Sequence, residues 1–355
     1  MFEDGAIVGS YRVLRKLGRG GMGAVFAGEH TLLGRKAALK VLLPTLSADP
    51  ELVQRLFNEA RAVTLIADPG IVQVFDFGYH TDGSAYIVME LLEGETVEQR
   101  CQRIGRFPPV GALRLIRQVC TSLRAAHAKS IVHRDLKPEN IFIVADPAVT
   151  GGERTKLLDF GVAKLSRAES GDNTQSGALM GTPVYMSPEQ CRGAHAADHR
   201  SDIYSIGCVL MKMLTGCAPF EGDGMGDLIV AHICHPPPLA RSRVPDLAPV
   251  FDEILQRCLA KSPDERFQSM ADLTQRLEDA EQVLFGPITG LSPSMVLHMP
   301  TLTMDVPEPS CSTIDTASGE TTASGLRRRG RYAAIAAIAC AAVMTVVAAI
   351  AMAVH

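Results

Sequence analysis

The sequence predicts an α+β protein of two lobes, a small strand-rich one and a larger helical one, followed by a single helix that crosses a membrane. Three observations carry this prediction. Short apolar runs separated by turn chemistry fill residues 11–43, with glycines at 18, 20, 21 and 23 between the first two. Beyond residue 110 the apolar spacing becomes mostly helical. The last stretch, 333–354, carries no charge and directly follows Arg327, Arg328, Arg329 and Arg331.

The totals alone exclude some classes. The chain has 355 residues, 46% of them hydrophobic, so it can bury a sizeable core and is not wholly disordered. Its 35 basic and 39 acidic side chains leave a formal charge of −4. A dedicated nucleic-acid binder would carry a strong basic excess, so no nucleic-acid partner is expected.

Taken in order, Tyr11–Leu17 and Ala24–Gly28 are expected strands flanking the glycine turn, and Lys36–Leu43 is another short apolar run. A helix then begins, with Asp49 as N-cap and Pro50 at the first helical position. Its inward stripe takes Leu52, Leu56, Val63 and Ile66, with Glu59 filling the one gap. A carboxylate there needs a partner, or a rim position that reaches water. Gly111–Ala128 is a further helix, and residues 203–214, IYSIGCVLMKML, form a helix apolar nearly all round, with Lys212 its one charge. Such a helix belongs inside a large core.

The C-terminal part changes character. Gly, Pro, Ser and Thr make up 22 of the 40 residues from 286 to 325, a composition too poor in apolar surface to offset its chain entropy. A linker is expected there. The 22 residues of 333–354 would span about 33 Å as a helix, against a hydrocarbon thickness of ~30 Å. Half of them are alanine, so three Ile, four Val and two Met supply the insertion free energy. The arginine cluster orients the span with residues 1–331 on the cytoplasmic side, and MFEDGAIVGSYRV has no signal-peptide character. Ala333, Ala337 and Ala341 form a small-residue ridge through which two spans could pair into a homodimer. Nine cysteines without a C-x-x-C pair fit reduced thiols, and His232, Cys234 and His235 lack a second ligand pair for a metal.

Chemistry is concentrated in a few strings. Gly18, Gly20 and Gly23 give G-x-G-x-x-G, which brings backbone amides close to phosphates. By itself the pattern also fits a dinucleotide site, but that requires a helix at the last glycine, and Ala24-Val25-Phe26 continues as a strand. Lys40 lies within the apolar run AALKVLL, where an unpaired ammonium is costly; Glu59 is its expected counter-ion. His133-Arg134-Asp135-Leu136-Lys137-Pro138-Glu139-Asn140 is followed, after 18 intervening residues, by Asp159-Phe160-Gly161. Phosphoryl transfer needs a carboxylate to orient a hydroxyl, oxygen ligands for Mg²⁺ and a cation on the migrating group. Asp135, then Asn140 with Asp159, then Lys137 provide these.

On these strings residues 11–280 resemble the eukaryotic-type protein kinases, specifically the bacterial membrane-anchored (Hanks-type) serine/threonine branch. The resemblance implies the bilobal protein-kinase fold and ATP-dependent transfer to protein Ser or Thr, with ATP and Mg²⁺ required. It implies that Leu17, Gly18, Arg19, Gly20, Gly21, Met22, Gly23, Ala24 and Val25 cover the nucleotide. Val25, Ala38 and Phe142 would sandwich the adenine, Met89 would be the gatekeeper, and Glu90–Leu92 the hinge. Lys40, paired with Glu59, would hold the α- and β-phosphates, Asp135 would orient the substrate hydroxyl, and Lys137 would touch the γ-phosphate. Asn140 and Asp159 would ligate Mg²⁺, Arg266 would partner Glu189, and Asp202 would anchor the catalytic loop.

Lys137 and Thr182, in GTPVYMSPE, are similar to the Ser/Thr type, with Thr182 positioning substrate. Arg134 beside the catalytic aspartate resembles kinases switched on by activation-loop phosphorylation, for which Thr174 and Ser176 are the candidate autophosphorylation sites. Ala145–Thr155, between the Mg²⁺ ligands, is a longer hairpin tip than is usual. The expected organisation is an N-terminal lead (1–10), a kinase domain (11–280), a linker (281–326), the arginine cluster (327–331) and the span (333–354) in the cell membrane. Signalling to protein substrates at the membrane follows. The alternative is a membrane-tethered pseudokinase scaffold, which loss of Lys40, Asp135 or Asp159 would have marked; all three are present.

Overall fold

A computed structural model describes residues 2–160, 183–193 and 197–286. The chain divides into two units, Met1–Thr289 and Gly290–His355. The linker, the arginine cluster and the expected span at 333–354 fall outside the described residues. Among those described, no helix is long and apolar enough to cross a membrane.

The small lobe is built on an antiparallel sheet of β1 (Ile7–Val8), β2 (Tyr11–Gly20), β3 (Gly23–His30), β4 (Lys36–Leu42), β5 (Val74–Tyr79) and β6 (Ala85–Met89), in the order β1-β2-β3-β4-β6-β5. The expected lead at 1–10 therefore contributes an edge strand, with Val8 opposite Tyr11. One face of the sheet buries Val13, Phe26, Leu39 and Val88 in an apolar cluster. The other face takes the helix α2 (Pro50–Thr64), which follows the single turn α1 (Pro44–Ser47). Asp49 caps α2 by accepting from the amides of Glu51 and Leu52, at 3.0 and 3.1 Å. Leu52 and Leu56 bury against Ile87, whereas Val63 and Ile66 join the core of the large lobe. The end of α2 thus ties the lobes together.

The large lobe begins with β7 (Gly94–Thr96), α3 (Val97–Ile104) and α4 (Pro109–His127), then the hairpin β8 (Ile141–Ala145) and β9 (Glu153–Leu157). Its helical part is α5 (Pro188–Arg192), α6 (His199–Thr215), α7 (Met225–Cys234), α8 (Pro249–Cys258) and α9 (Met270–Phe285). The all-apolar run at 203–214 lies within α6, whose Ile203, Ile206, Val209 and Leu210 are completely buried. Lys212, its lone charge, pairs with Glu98 on α3. Helix α9 continues through Phe285, past residue 281 where the linker was expected to start, because Glu281 pairs with Arg114 and Arg117 of α4 and Leu284 packs against the core. His232 is buried and hydrogen-bonded to the Tyr204 hydroxyl at 2.8 Å, and Cys234 is exposed.

Candidate active site

Strands β2 and β3 close a tight turn in which Gly20 faces Gly23, leaving Gly21 and Met22 at its tip. The glycines serve different purposes. A Cβ on Gly23 would run into the Val41 carbonyl of the neighbouring strand, so this glycine is required by packing. Around Gly18 and Gly20 nothing lies within 4 Å of the Cβ position, which leaves backbone amides open to an approaching group. Leu17, Arg19 and Gly21 are exposed, Met22 and Val25 half-buried, and Ala24 buried.

Lys40 sits in the middle of the sheet, between Val25 of β3 and Ile87 of β6. Its Nζ lies 2.7 Å from Asp159 Oδ1. Sequence reasoning paired it with Glu59; the direct ion pair found is with Asp159, 119 residues away, and Glu59 on α2 acts on the same ammonium through its charge. Burial works against the charged lysine, but Asp159, Glu59 and Asp135 together outweigh it and raise the Lys40 pKa above the ordinary 10.5. For Asp159, burial pushes the pKa up; the Lys40 charge and hydrogen bond overcome that and hold the carboxyl below its ordinary 3.8. Both groups are therefore ionised at neutral pH.

The catalytic loop is fastened from beneath by Asp202, which is fully buried on α6. Its Oδ2 accepts from the His133 amide at 2.9 Å and from His127 Nε2 at 2.8 Å, while Oδ1 accepts from the Arg134 amide at 2.9 Å. Arg134 is held in the left-handed region at φ 63°, and Asp159 at φ 42°. Non-glycine residues keep such conformations only where surrounding bonds enforce them. His133 is kept neutral by burial, its pKa lowered, and its Nε2 bonds the Leu158 carbonyl at 3.0 Å. His133 of the loop is thus bonded to the segment that follows β9 and carries Asp159.

Above this floor the three predicted groups converge. Lys137 Nζ lies 3.3 Å from Asp135 Oδ2, and Asn140 Nδ2 donates to the Asp135 carbonyl at 2.8 Å and its Oδ2 at 3.1 Å. The Asn140 amide nitrogen is committed to Asp135, so its Oδ1 is the atom left to act as a ligand. That oxygen and the Asp159 carboxylate are donors of the type a hard divalent cation takes, so the residues present fit one.

At the other end of the cleft, Ala38 of β4 is buried and sits opposite Met89 of β6, and Phe142 on β8 is half-buried. Glu90 and Leu92 follow β6 as half-buried residues. Sequence reasoning missed Lys156, whose Nζ lies 2.8 Å from Glu90 Oε2. The sequence of β9, Glu-Arg-Thr-Lys-Leu, gives no alternation that would single it out; the pairing depends on how β9 meets the hinge.

Below the catalytic loop a cavity of about 290 Å³ is lined by Asp135, Lys137, Glu139, Tyr185, Met186 and Lys212, among others. Next in sequence, Ser187 caps α5, and the two oxygens of Glu189 each lie 2.8 Å from the fully buried Arg266. The candidates Thr174, Ser176 and Thr182 lie outside the described residues. In the hairpin between β8 and β9 the added residues close back on themselves, with Asp146 paired to Arg154 at 2.6 Å. A positioned carboxylate, two cations and an oxygen-ligand pair in one cleft are the groups that transfer of a phosphoryl group to a hydroxyl requires.

Residues 11–277 match the family described as protein kinase domain. Serine/threonine-protein kinase Pkn1 of Myxococcus xanthus is 43% identical over 277 residues, covering 78% of this chain and 39% of that protein. Serine/threonine-protein kinase PknE of Mycobacterium bovis is 38% identical over 272 residues, 77% of this chain and 46% of that one. Serine/threonine-protein kinase pkn2 of Myxococcus xanthus is 37% identical over 332 residues, 92% of this chain and 39% of its own length. The crystal structure of the Mycobacterium tuberculosis PknI kinase domain aligns with a TM-score of 0.60 at 27% identity, covering 79% of this chain and 99% of that one. The chain spans less than half the length of these curated relatives. Every residue of the cleft just described falls inside the family match, and the chain belongs to the protein kinase domain family.

Proposed function

We propose that this chain is a serine/threonine protein kinase that transfers the γ-phosphoryl group of ATP to Ser or Thr hydroxyls of proteins. The observation that carries this reading is the convergence of Lys137 and Asn140 on Asp135, in the same cleft as the Lys40–Asp159 pair. A pseudokinase scaffold has no comparable support, since no member of that set is missing. The name serine/threonine-protein kinase, carried by the relatives, supports the choice of acceptor, as do Lys137 and Thr182.

In the proposed step the acceptor oxygen attacks the γ-phosphorus while the bond to the oxygen bridging to the β-phosphate breaks, releasing ADP. The hydroxyl proton passes to the Asp135 carboxylate. Lys40 holds the α- and β-phosphate oxygens, and Lys137 meets the charge on the migrating group. Asn140 and Asp159 would hold Mg²⁺, which when bound supplies positive charge against the phosphate oxygens. Ala38, Val25 and Phe142 form the apolar walls for the adenine, with the backbone at Glu90–Leu92 along its edge.

The remaining expectations join the proposal. Thr174 and Ser176 are sites of autophosphorylation, and Arg134 receives the resulting phosphate; its Nε is buried and has no hydrogen-bond partner among the described residues. Residues 333–354 span the cell membrane and hold the kinase domain on its cytoplasmic side, where a second copy can pair through the alanine ridge. The pkn2 similarity covers 92% of the chain and so runs past the kinase domain toward this segment. The test is mass-spectrometric phosphosite mapping of the full chain incubated with ATP and MgCl₂. Phosphate on Thr174 or Ser176 in wild type and none in Asp135→Asn is the expected result; an unmodified wild type contradicts it. Carbonate-resistant membrane association that survives deletion of 327–355 would sink the tether.

A further inference from the structure

We infer that Lys156 is a positioning residue for the adenine end of the nucleotide site, acting through its ion pair with the hinge carboxylate Glu90. The inference rests on the ATP site proposed above. It starts from a cation in an expensive place: Lys156 is only 8% exposed, and a buried ammonium is retained only when paired. Its partner is Glu90 Oε2 at 2.8 Å, on the first residue after β6.

Two neighbours give the pair its meaning. On the sheet, Lys156 lies directly opposite Phe142. Residues opposite each other on antiparallel strands present side chains to the same face, so the ammonium and the phenyl ring share the side facing the cleft. On the hinge, Glu90 is bonded twice to Gln73: its amide donates to the Gln73 carbonyl at 2.8 Å, and Oε2 accepts from the Gln73 amide at 3.4 Å. The segment containing Gln73 is itself stitched to β9, through Val72 N to Leu157 O at 3.0 Å and Leu157 N to Gly70 O at 2.7 Å.

The hinge is therefore attached to β9 by one backbone route and one side-chain route, and Lys156 supplies the second. The same strand leads within three residues to Asp159. Lys156 thereby fixes the hinge edge against the ring that floors the adenine pocket, and both against the strand that leads to the phosphate-end carboxylate. Without it only the long bond from the Gln73 amide, at 3.4 Å, still holds the Glu90 side chain, which is already 28% exposed. The backbone bond remains, so the lobe stays folded while the adenine slot loses its set width.

The experiment compares the full chain as wild type, Lys156→Met and Lys156→Arg. ATP with MgCl₂ is titrated calorimetrically, and kcat and KM for ATP are measured on a Ser-containing peptide. Lys156→Met is expected to weaken ATP about three- to tenfold, less than the full value of one charge-assisted bond because Lys156 acts through Glu90, with the loss in KM for ATP and not in kcat. Lys156→Arg should bind within about twofold of wild type, because a guanidinium reaches the same carboxylate. A thermal melt without nucleotide reports whether Lys156→Met is folded. If it is not, the reversed pair Lys156→Glu with Glu90→Lys takes its place and should bind tighter than Glu90→Lys alone. Equal affinity in wild type and Lys156→Met, or an Arg variant as weak as the Met one, overturns the inference and leaves the site standing. So does a reversed pair no better than Glu90→Lys. A wild-type chain that binds no ATP overturns the site itself, and the inference with it.

Discussion

Lys40 Nζ and Asp159 Oδ1 lie 2.7 Å apart, joining the central strand of the small lobe to the segment that follows β9 in the large one. The pair sets a pH window. The Lys40 pKa is raised, so its contribution is complete below 10.5 and disappears as pH rises through the folded value. The Asp159 pKa is lowered, so its contribution is present above 3.8 and disappears as pH falls through the folded value. Between these limits neither group titrates, and activity between pH 6 and 9 is expected to show no ionisation from either. An activity profile that Lys40→Arg shifts by a full unit within that range would contradict this.

Arg266 and Glu189 form a bidentate ion pair in which Arg266 is 0% and Glu189 7% exposed by side chain. Arg266→Met leaves a buried carboxylate with Ser201 as its remaining side-chain donor, at 2.6 Å. Breaking one side of such a pair costs about 3–5 kcal/mol. Chemical denaturation of the two proteins measures it; a difference under about 1 kcal/mol would mean that the carboxylate finds water.

Asp202 receives three donors, from His127, His133 and Arg134. Asp202→Ala leaves all three without it, and the left-handed conformation of Arg134 loses its restraint. Displacement of the neighbouring Asp135 should lower kcat about 100-fold, with KM for ATP little changed because Asp202 is remote from the glycine loop. Steady-state kinetics decide it, and a variant with wild-type kcat would refute the anchoring role.

The two kinds of glycine separate by substitution. Gly23→Ala puts a Cβ into the Val41 carbonyl and should destabilise the small lobe by about 1–3 kcal/mol. Gly20→Ala meets no protein atom within 4 Å and should leave the melting temperature alone while weakening ATP. The reverse pattern would show that the assignment of packing to one and nucleotide approach to the other is wrong.

Local chemistry was the legible part of this protein. Asp49 and Pro50 announce α2, and the uninterrupted apolar run at 203–214 announces a buried helix, because caps and periodicity are written within a few residues. The strings around Asp135 and Asp159 announce the groups that meet in the cleft for the same reason. What escaped depends on distant segments meeting. Asp159 takes the direct bond to Lys40 that local spacing offered to Glu59. Lys156 finds Glu90 across 66 residues, and no pattern in β9 predicts it. The strand β1 has only two residues, too few to show alternation. The end of α9 was there to be read: Leu284 extends the inner stripe of Leu273, Leu277 and Ala280 past residue 281 and packs against the core.

The central claim is that Asp135 serves phosphoryl transfer from ATP to Ser or Thr. It is tested most directly by the single-turnover rate at which the full chain moves ³²P from γ-labelled ATP to a protein acceptor with MgCl₂ present, followed by phosphoamino-acid analysis. Label on serine or threonine, with a rate that Asp135→Asn lowers at least about 100-fold while ATP still binds, is the predicted result. An Asp135→Asn chain that transfers phosphate as fast as wild type, or label found on neither residue, would contradict it.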